Sequence, residues 1–239
     1  MQSDARYTRQ TAVPEFGEAT QKMLASATVA IVGCGALGGL QADLLARMGV
    51  GALRIADADV VALGNLHRQL LYTETDVAEK TPKVIAATRR LRQANAAVKV
   101  DALNARITEE NIGVFLAGAD VVLDATDNAA TRFLINDWCV SRAVPWVYTG
   151  VSGVTGLVLP VLPGGACLRC LYPEPPEETP PPPVLPTSVT LAVSLQVTQA
   201  LRVLNKTARI GELIRFNVWT AAVQTVTLNR NPSCPCCKR

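Results

Sequence analysis

The sequence predicts an α/β fold: a doubly wound, mainly parallel sheet of the Rossmann type, with an antiparallel extension toward the C-terminus. Three observations predict it. Short β-branched runs alternate with segments of helical periodicity through the first half of the chain. A glycine-rich turn follows the first of these runs, and an aspartate directly follows the second. Strands that alternate with helices are typical of a parallel sheet covered on both faces.

The elements of the first half follow one another in strand–helix order. The first strand, Thr28 to Val32, is a β-branched run that ends in glycine. Pro82 marks a helix start, because apolar residues recur at helical spacing after it. The strands predicted in this half are 28–32, 52–56, 98–100, 119–123 and 146–149, and the helices are 37–48, 129–142 and the one that begins near Pro82.

The pattern changes after residue 150. Eight prolines fall within residues 173–186 and exclude a helix or a central strand, so this segment is predicted to be an extended, exposed loop. A helix is predicted over 188–206. One stripe of it carries polar residues and is therefore predicted to be the exposed face: Gln196, Gln199, Arg202 and Lys206. An extended segment over 153–162 and strands over 213–218 and 222–228 complete the fold.

Composition and charge exclude several classes of function. With 49% apolar and 18% charged residues, the chain of 239 residues has the balance of a folded globular protein. No apolar run reaches the roughly 18 residues of a membrane-spanning helix. A net charge of +3 is too small to indicate nucleic acid as a partner. Residues 1–21 are polar, so we expect no secretory signal and a cytoplasmic location.

The glycine-rich turn predicts a nucleotide site. Gly33, Gly35 and Gly38 form a G-x-G-x-x-G pattern between a strand and a helix, where backbone N–H groups can approach a phosphate. Asp57 lies 19 residues after Gly38, where an acid usually binds ribose hydroxyls. By itself this pattern indicates an NAD-dependent oxidoreductase, and a glycine turn used only for packing is the alternative.

A cluster of polar and cationic residues argues for a triphosphate instead. Asn65 and Arg68 follow Asp57, and Lys83 comes at the next helix start. Arginine binds phosphate oxygens as a fork and lysine binds them as a point charge, whereas hydride transfer needs neither. Asp127 and Asn128 follow a strand end, where a carboxylate is well placed to hold Mg²⁺.

This ordered set of motifs resembles the ThiF/MoeB/HesA family, bacterial relatives of the ubiquitin-activating enzymes. The matching segments run nearly end to end: Arg6 to Gln10, Gly33 to Gly38, Asp57 to Asp59, Asn65 to Gln69, Pro82 to Lys83, Asp124 to Asn128, Cys167 to Cys170 and the terminal cysteines. The resemblance implies ATP-dependent adenylation of the C-terminal Gly-Gly carboxylate of a small ubiquitin-like sulfur-carrier protein. Pyrophosphate is released, and the pathway is molybdopterin, thiamine or related biosynthesis.

The resemblance also implies roles for individual residues. Asp57 would hold the ribose, Arg68 and Lys83 the phosphates, Asp127 a magnesium ion, and Arg9 would reach the phosphates of the other protomer in a homodimer. The full set implied for ATP is Gly33, Gly35, Ala36, Gly38, Asp57, Asn65, Arg68, Lys83, Asp127 and Asn128. The implied regions are a helical arm (1–26), a nucleotide-binding core (27–150) and a carrier-binding and zinc region (151–239) within one domain.

The seven cysteines divide into groups. Two C-x-x-C pairs, Cys167–Cys170 and Cys234–Cys237, predict a structural Cys₄ zinc site, with two disulfides or free thiols as the alternatives. Cys236 lies inside the second pair and could compete as a ligand. Cys34 and Cys139 are expected in the core. The single histidine, His67, is expected to be a polar or packing residue, so catalysis should not depend on histidine.

One departure from the family pattern bears on function. Some members carry a reactive cysteine in the loop after the first zinc pair, near the position of Thr179, but no cysteine occurs here between Cys170 and Cys234. This favours an enzyme that only adenylates. Three alternatives stay open: an NAD-dependent oxidoreductase, a binding scaffold without turnover, and adenylation of a peptide or small-molecule carboxylate in secondary metabolism.

Overall fold

A computed structural model describes residues 5–177 and 182–237, and its centre is one sheet of eight strands in the order β3-β2-β1-β4-β5-β6-β7-β8. The first five strands are parallel and the last three continue the sheet antiparallel. Their bounds are β1 (Thr28–Val32), β2 (Ala52–Ala56), β3 (Lys99–Leu103), β4 (Val121–Asp124), β5 (Trp146–Ser152), β6 (Thr155–Val161), β7 (Glu212–Asn217) and β8 (Ala222–Thr227). The fold class predicted from the sequence is confirmed.

Helices cover both faces of this sheet. They are α1 (Thr8–Thr11), α2 (Gly17–Ser26), α3 (Ala36–Met48), α4 (Glu74–Ala78), α5 (Lys83–Ala94), α6 (Ile112–Leu116), α7 (Ala129–Ser141), α8 (Leu168–Leu171) and α9 (Pro186–Leu204), with a 3₁₀ turn at Leu63–Asn65. The core on one face contains residues of α3, α5 and α9. The core on the other face contains residues of α6 and α7, together with Cys167, Cys234 and Cys237.

Alternation along β1 shows why both faces need a helical layer. Val29 and Ile31 belong to the core under α3, while Ala30 and Val32 belong to the core under α7. All four side chains are buried. A strand with no polar face must lie in the interior of a sheet covered on both sides, as the β-branched run predicted.

The prediction that the polar stripe of the last long helix, α9, is its exposed face is wrong. Gln196 is fully buried and Gln199 nearly so. The Gln196 amide donates to the backbone oxygens of Asp124 (2.9 Å) and Val147 (2.8 Å), so a polar side chain faces the core to satisfy strand carbonyls. The exposed positions of α9 instead include Thr190, Ser194 and Thr198, whose hydroxyls bond to the carbonyls four residues earlier.

The proline-rich segment is non-helical at the described residues 173–177 and 182–185, as predicted. Pro186 lies inside the first turn of α9 rather than in the loop, a position where its missing N–H costs nothing. The position of Thr179 lies outside the described residues. Among the described residues, no helix combines the length and the hydropathy that a membrane crossing needs.

A buried carboxylate fixes α4 against α5. Asp76 is fully buried and accepts hydrogen bonds from the Thr73 N–H (2.8 Å), the Thr73 hydroxyl (2.9 Å), Arg89 (2.5 Å) and Arg90 (2.6 Å). Burial acts to raise the pKa of Asp76, but the hydrogen bonds from Thr73 and Arg90 outweigh it and hold the pKa below its usual range. The bond from the Thr73 N–H is also one half of a capping box at the start of α4, whose other half is the Asp76 N–H donating to the Thr73 side chain.

Asp76→Ala should lower the free energy of unfolding at pH 7 by about 2–3 kcal/mol, because it removes a helix cap and leaves two arginines without their partner. A carboxylate with a lowered pKa stabilises the fold fully above its unfolded pKa and loses this effect as pH falls through the folded pKa. The difference from wild type should therefore persist above about pH 4 and shrink below it. Urea unfolding across this pH range measures it.

Asp43→Ala is the matched control, because Asp43 pairs with Arg47 on the exposed face of α3 (2.9 Å). An exposed pair four residues apart contributes about 0.5 kcal/mol. Equal losses in the two variants would contradict the role given to Asp76.

Candidate active site

The glycine loop joins β1 to α3 and packs against the loop after β4. Gly33 has a positive φ of 99°, and a Cβ there would lie 2.5 Å from the Ala125 carbonyl oxygen. A Cβ on Gly38 would overlap the Gly33 carbonyl. Gly35 is the N-cap of α3 and offers no side-chain cap, so the first-turn N–H groups of this helix can serve an anion.

Asp57, at the end of β2, holds this loop from the other side. Its Oδ2 accepts the Cys34 N–H (2.7 Å) and its Oδ1 accepts the Asp59 N–H (2.8 Å). Lys83 Nζ lies 2.8 Å from Asp59 Oδ2 and 3.9 Å from Asp57 Oδ1. The lysine side chain is only 6% exposed, so a buried cation lies beside the acid that the sequence predicted for ribose.

Asn65 and Arg68 form a second polar group. The Arg68 guanidinium donates to Asn65 Oδ1 (3.2 Å) and to the Gly64 carbonyl (3.1 Å). The exposed His67 lies beside it, with 3.4 Å between the two side-chain nitrogens, as expected of a polar neighbour.

Gln69 belongs to the site although its sequence pattern predicted no role for it. Its side chain is buried, its Nε2 lies 3.5 Å from where a Cβ on Gly35 would be, and its Oε1 has no partner among the described residues. Its position directly after Arg68 is the sequence signal that could have found it.

The loop after β4 presents a carboxylate at the rim of the site. Asp124 is fully buried and accepts Thr126 N–H (2.9 Å), the Thr126 hydroxyl (2.7 Å) and Arg132 Nε (3.1 Å). Burial raises the pKa of Asp124, while Arg132 and Thr126 act in the opposite direction. Asp127 is exposed, and Asn128 caps α7. A fixed loop therefore holds Asp127 outward.

These groups meet at the carboxyl ends of β1, β2 and β4. Since β2 lies on one side of β1 and β4 on the other, the chain reverses its strand order between β1 and β4. Open α/β sheets bind ligands at such a switch point. The structure brings the glycine loop, Asp57 and Lys83 into direct contact, and it places the Asp127 loop against Gly33 through Ala125.

Arg9 does not join this group within one chain. The Tyr7 ring lies against Gly49, the residue that follows α3 at its C-terminal end. A helix of 13 residues is about 20 Å long, so Arg9 lies near the end of α3 opposite to the glycine loop.

The four paired cysteines converge on one point. The Sγ atoms of Cys167, Cys170, Cys234 and Cys237 all lie within 4.8 Å of one another, with 3.6 Å between Cys167 and Cys234 and 3.4 Å between Cys170 and Cys237. Tetrahedral zinc–thiolate bonds of about 2.3 Å require sulfur separations of about 3.8 Å, so the cluster fits a zinc ion.

The other three cysteines are not among these four, although the Cys236 thiol borders the cluster through a hydrogen bond with Cys167. All seven residues of this type fall within the described ranges, and none forms a disulfide. Cys236 accepts a hydrogen bond from the Asn136 amide (3.4 Å). Cys34 and Cys139 are fully buried, as expected, and burial raises the pKa of both thiols.

The site lies at the switch point of a doubly wound sheet, beside a helix N-terminus without a side-chain cap, and this is the arrangement of Rossmann-type nucleotide-binding proteins. The chain belongs to the ThiF family, whose family model matches residues 7–236.

Two relatives match nearly the whole chain. The SAMP-activating enzyme E1 of Haloferax volcanii is 36% identical, over 97% of this chain and 88% of its own length. The sulfur carrier protein adenylyltransferase of Thermus thermophilus is 37% identical, over 97% and 90%. Among solved structures, E. coli MccB with ATP superimposes with a TM-score of 0.85 at 21% identity, over 99% of this chain and 75% of that one, which shows a shared fold.

Replacing single cysteines tests the cluster. Cys237→Ser should abolish stoichiometric zinc binding, because three thiolates cannot close the site. Cys236→Ser is the matched control and should retain one zinc ion per chain, since its sulfur borders the cluster and also bonds to Asn136 and Asp137, but is not one of the four converging sulfurs. Metal analysis of both purified variants checks this, and zinc loss confined to Cys236→Ser would reverse the ligand assignment.

Proposed function

We propose that this chain uses MgATP to adenylate the C-terminal carboxylate of a small sulfur-carrier protein that ends in Gly-Gly. One observation carries the proposal: at the sheet's switch point the Asp57 carboxylate accepts the Cys34 N–H of the loop that leads into the uncapped α3, and the buried Lys83 lies 3.9 Å from the same carboxylate. The chain belongs to a family whose relatives are named as adenylyltransferases and activating enzymes of such carriers.

Each residue then has a task. The N–H groups at Gly35 and Ala36 bind phosphate oxygens, and Asp57 binds the ribose hydroxyls. Asn65 and Arg68, already in contact, bind the phosphates together with Lys83. Asp127 and Asn128 border the phosphates, and Asp127 holds Mg²⁺ with an oxygen ligand.

The reaction needs positioning and charge neutralisation. A carboxylate oxygen of the carrier attacks the α-phosphorus, and the bond from that phosphorus to the bridging oxygen breaks as pyrophosphate leaves. The attacking carboxylate is already ionised near neutral pH, so no protein base is required. Arg68 and Lys83 stabilise the negative charge that the departing pyrophosphate carries.

A groove on the C-terminal half of the sheet fits the tail of the carrier. It encloses about 640 Å³ between Arg132, Tyr148 and strands β5 to β8. A Cβ on Gly150 would lie 2.7 Å from the Tyr148 hydroxyl, and one on Gly156 would overlap the Phe216 ring. Without side chains at these two positions, the groove has room for an extended backbone. Arg132, at one end of the groove, donates to the Thr126 carbonyl and so connects the groove to the Asp127 loop. We assign carrier binding to 151–239 on this basis.

The position of Arg9 supports a homodimer. Because Arg9 lies near the far end of α3 from its own glycine loop, it can complete a nucleotide site only in a second copy. Leu63 and Leu70, which flank the Asn65–Arg68 segment, are 65% and 60% exposed, and a partner subunit would cover them. The helical arm, at its described residues 5–26, would then cross to the partner's nucleotide-binding core, residues 27–150.

The Cys₄ cluster is assigned to structural zinc. Four protein ligands leave no open position, so the ion supplies cross-linking of the C-terminal tail to the segment before the proline-rich loop. Cysteines this close together stay out of disulfides most readily in a reducing compartment, and on this ground we infer a cytoplasmic location.

The oxidoreductase alternative explains less of the site. NAD would use the glycine loop and Asp57, but a dinucleotide gives Lys83 and Arg68 no phosphate chain to neutralise. The choice between a protein carrier and a peptide or small-molecule carboxylate rests on family membership, and carrier-dependent pyrophosphate exchange decides it.

The proposed function predicts MgATP–pyrophosphate exchange that depends on a carrier ending in Gly-Gly. Arg68→Ala should slow exchange by about 100-fold or more, because one charge-stabilising group is lost at the phosphates. Arg209→Ala is the control and should exchange at the wild-type rate, because Arg209 is exposed and precedes β7 at the opposite edge of the sheet. Pyrophosphate exchange that needs no carrier would refute the proposed function. Binding of NAD but not of ATP would refute it as well.

Subunit complementation tests the dimer. Arg9→Ala and Arg68→Ala should each be inactive alone. In a mixed dimer, one site pairs an intact Arg68 with an intact partner Arg9, while the other site lacks both. Random 1:1 assembly during co-expression should therefore restore about one quarter of the wild-type rate. No recovery in verified mixed dimers would show that Arg9 does not act across the interface.

A further inference from the structure

Helix α7 runs from the nucleotide edge to the cysteine cluster. Asn128, Arg132 and Asn136 recur every four residues and therefore lie on one face of this helix. At 1.5 Å per residue, this row spans about 12 Å. Each of the three side chains makes a specific contact, so the row connects the nucleotide edge with the cysteine cluster.

At its N-terminal end, α7 holds the loop that carries Asp127. Asn128 Oδ1 caps the helix by accepting Thr131 N–H (2.9 Å). Arg132, one turn later, reaches back to the Thr126 carbonyl (2.7 Å) and to Asp124 Oδ2 (3.1 Å). The position of Asp127 therefore follows the position of this helix.

At its C-terminal half, α7 is fastened to the cysteine cluster. The fully buried Asn136 accepts Leu168 N–H (2.9 Å), directly after the ligand Cys167, and donates to Cys236. Arg169, between Cys167 and Cys170, pairs with both oxygens of Asp137 (2.8 and 2.7 Å).

Arg169 makes a further contact toward the nucleotide edge. Its guanidinium carbon lies 4.8 Å from the centre of the Phe133 ring, which directly follows Arg132 in α7. Arg169 thus contacts Phe133 from the cysteine segment, and the preceding residue of the same helix, Arg132, bonds to the Asp127 loop.

We propose that the metal-binding cysteine segment positions Asp127 for MgATP through α7, with the Arg169–Asp137 pair as the link. A bound zinc ion would then fix the C-terminal half of α7, and the N-terminal end of the same helix would hold Asp127 at the nucleotide site. Arg169 and Asn136 are positioning residues in this arrangement. The inference rests on the proposed function for its nucleotide end, and the structure supplies the link.

The test measures MgATP binding to the whole chain without any carrier, so that turnover plays no part. Arg169→Ala should retain one zinc ion per chain and weaken MgATP binding about fivefold, the size of coupling expected through such a network. Binding of ATP without added magnesium, in a metal-free buffer that contains no chelator, should not change, because only the metal-dependent contact involves Asp127. A general loosening of the fold would weaken both.

Two further measurements isolate the link. Asp137→Ala should match Arg169→Ala, and the double variant should be no worse than either single one, because the two residues act as one unit. Wild-type protein stripped of zinc by a chelator under reducing conditions should show the same selective loss of MgATP affinity. This measurement on zinc-free wild-type protein still tests the link if a variant fails to fold.

Arg202→Ala is the matched control, since it removes a partly buried pair with Glu212 (2.8 Å) between α9 and β7, away from α7. It should bind MgATP with wild-type affinity. Wild-type affinity in folded Arg169→Ala or in folded, zinc-free protein would overturn this inference. Absence of MgATP binding by the zinc-loaded wild type would overturn the proposed function itself.

Discussion

The close approach of three backbone segments at the switch point between β1 and β4 is the constraint on which the site depends. Gly33 and Gly38 have no room for a Cβ, since the Ala125 carbonyl and the Gly33 carbonyl fill that space. This contact sets the glycine loop, the first turn of α3 and the Asp127 loop against one another. Phosphate-binding N–H groups and a candidate magnesium ligand are thereby brought to one edge.

Polar side chains inside the core maintain that geometry. The Gln196 amide from α9 satisfies the carbonyls of Asp124 and Val147, in β4 and β5, and Gln41 from α3 donates to Gln196 (2.7 Å) and to the Asp124 carbonyl (3.2 Å). Buried carbonyls without partners would be costly, so these amides are required where strand pairing stops. They explain why a helix with an apparently polar stripe lies against the sheet.

The same observation shows where sequence reasoning succeeds and where it fails. The strands at 28–32 and 52–56 and the glycine loop follow from local pattern, and the structure confirms them. The burial of Gln196 could not be predicted, because its partners are backbone atoms of Asp124 and Val147, about 50 to 70 residues away in sequence. Periodicity records polarity but carries no information about distant carbonyls.

The site itself divides in the same way. The cysteine pairs follow from spacing, and the structure brings their four sulfur atoms together. Asp57 and Lys83 were both expected beside a nucleotide, and their side chains lie 3.9 Å apart. The Arg169–Asp137 contact depends on how α7 lies across the cysteine segment, so no local pattern indicates it. The assignment of α7 as a helix was correct, yet only tertiary packing shows that its Asn128–Arg132–Asn136 face connects two sites.

The inventory of reactive groups also limits the chemistry that this chain can perform after adenylation. An acyl-adenylate is a mixed anhydride that a thiol can attack, and some family members supply that thiol from the loop after the first cysteine pair. Here no cysteine occurs between Cys170 and Cys234. Cys34 is buried with a pKa raised to about 12, and four of the others form the metal cluster. None of the seven cysteines, all within the described ranges, offers an accessible thiolate beside the nucleotide edge, so the described site holds no thiol placed for that attack.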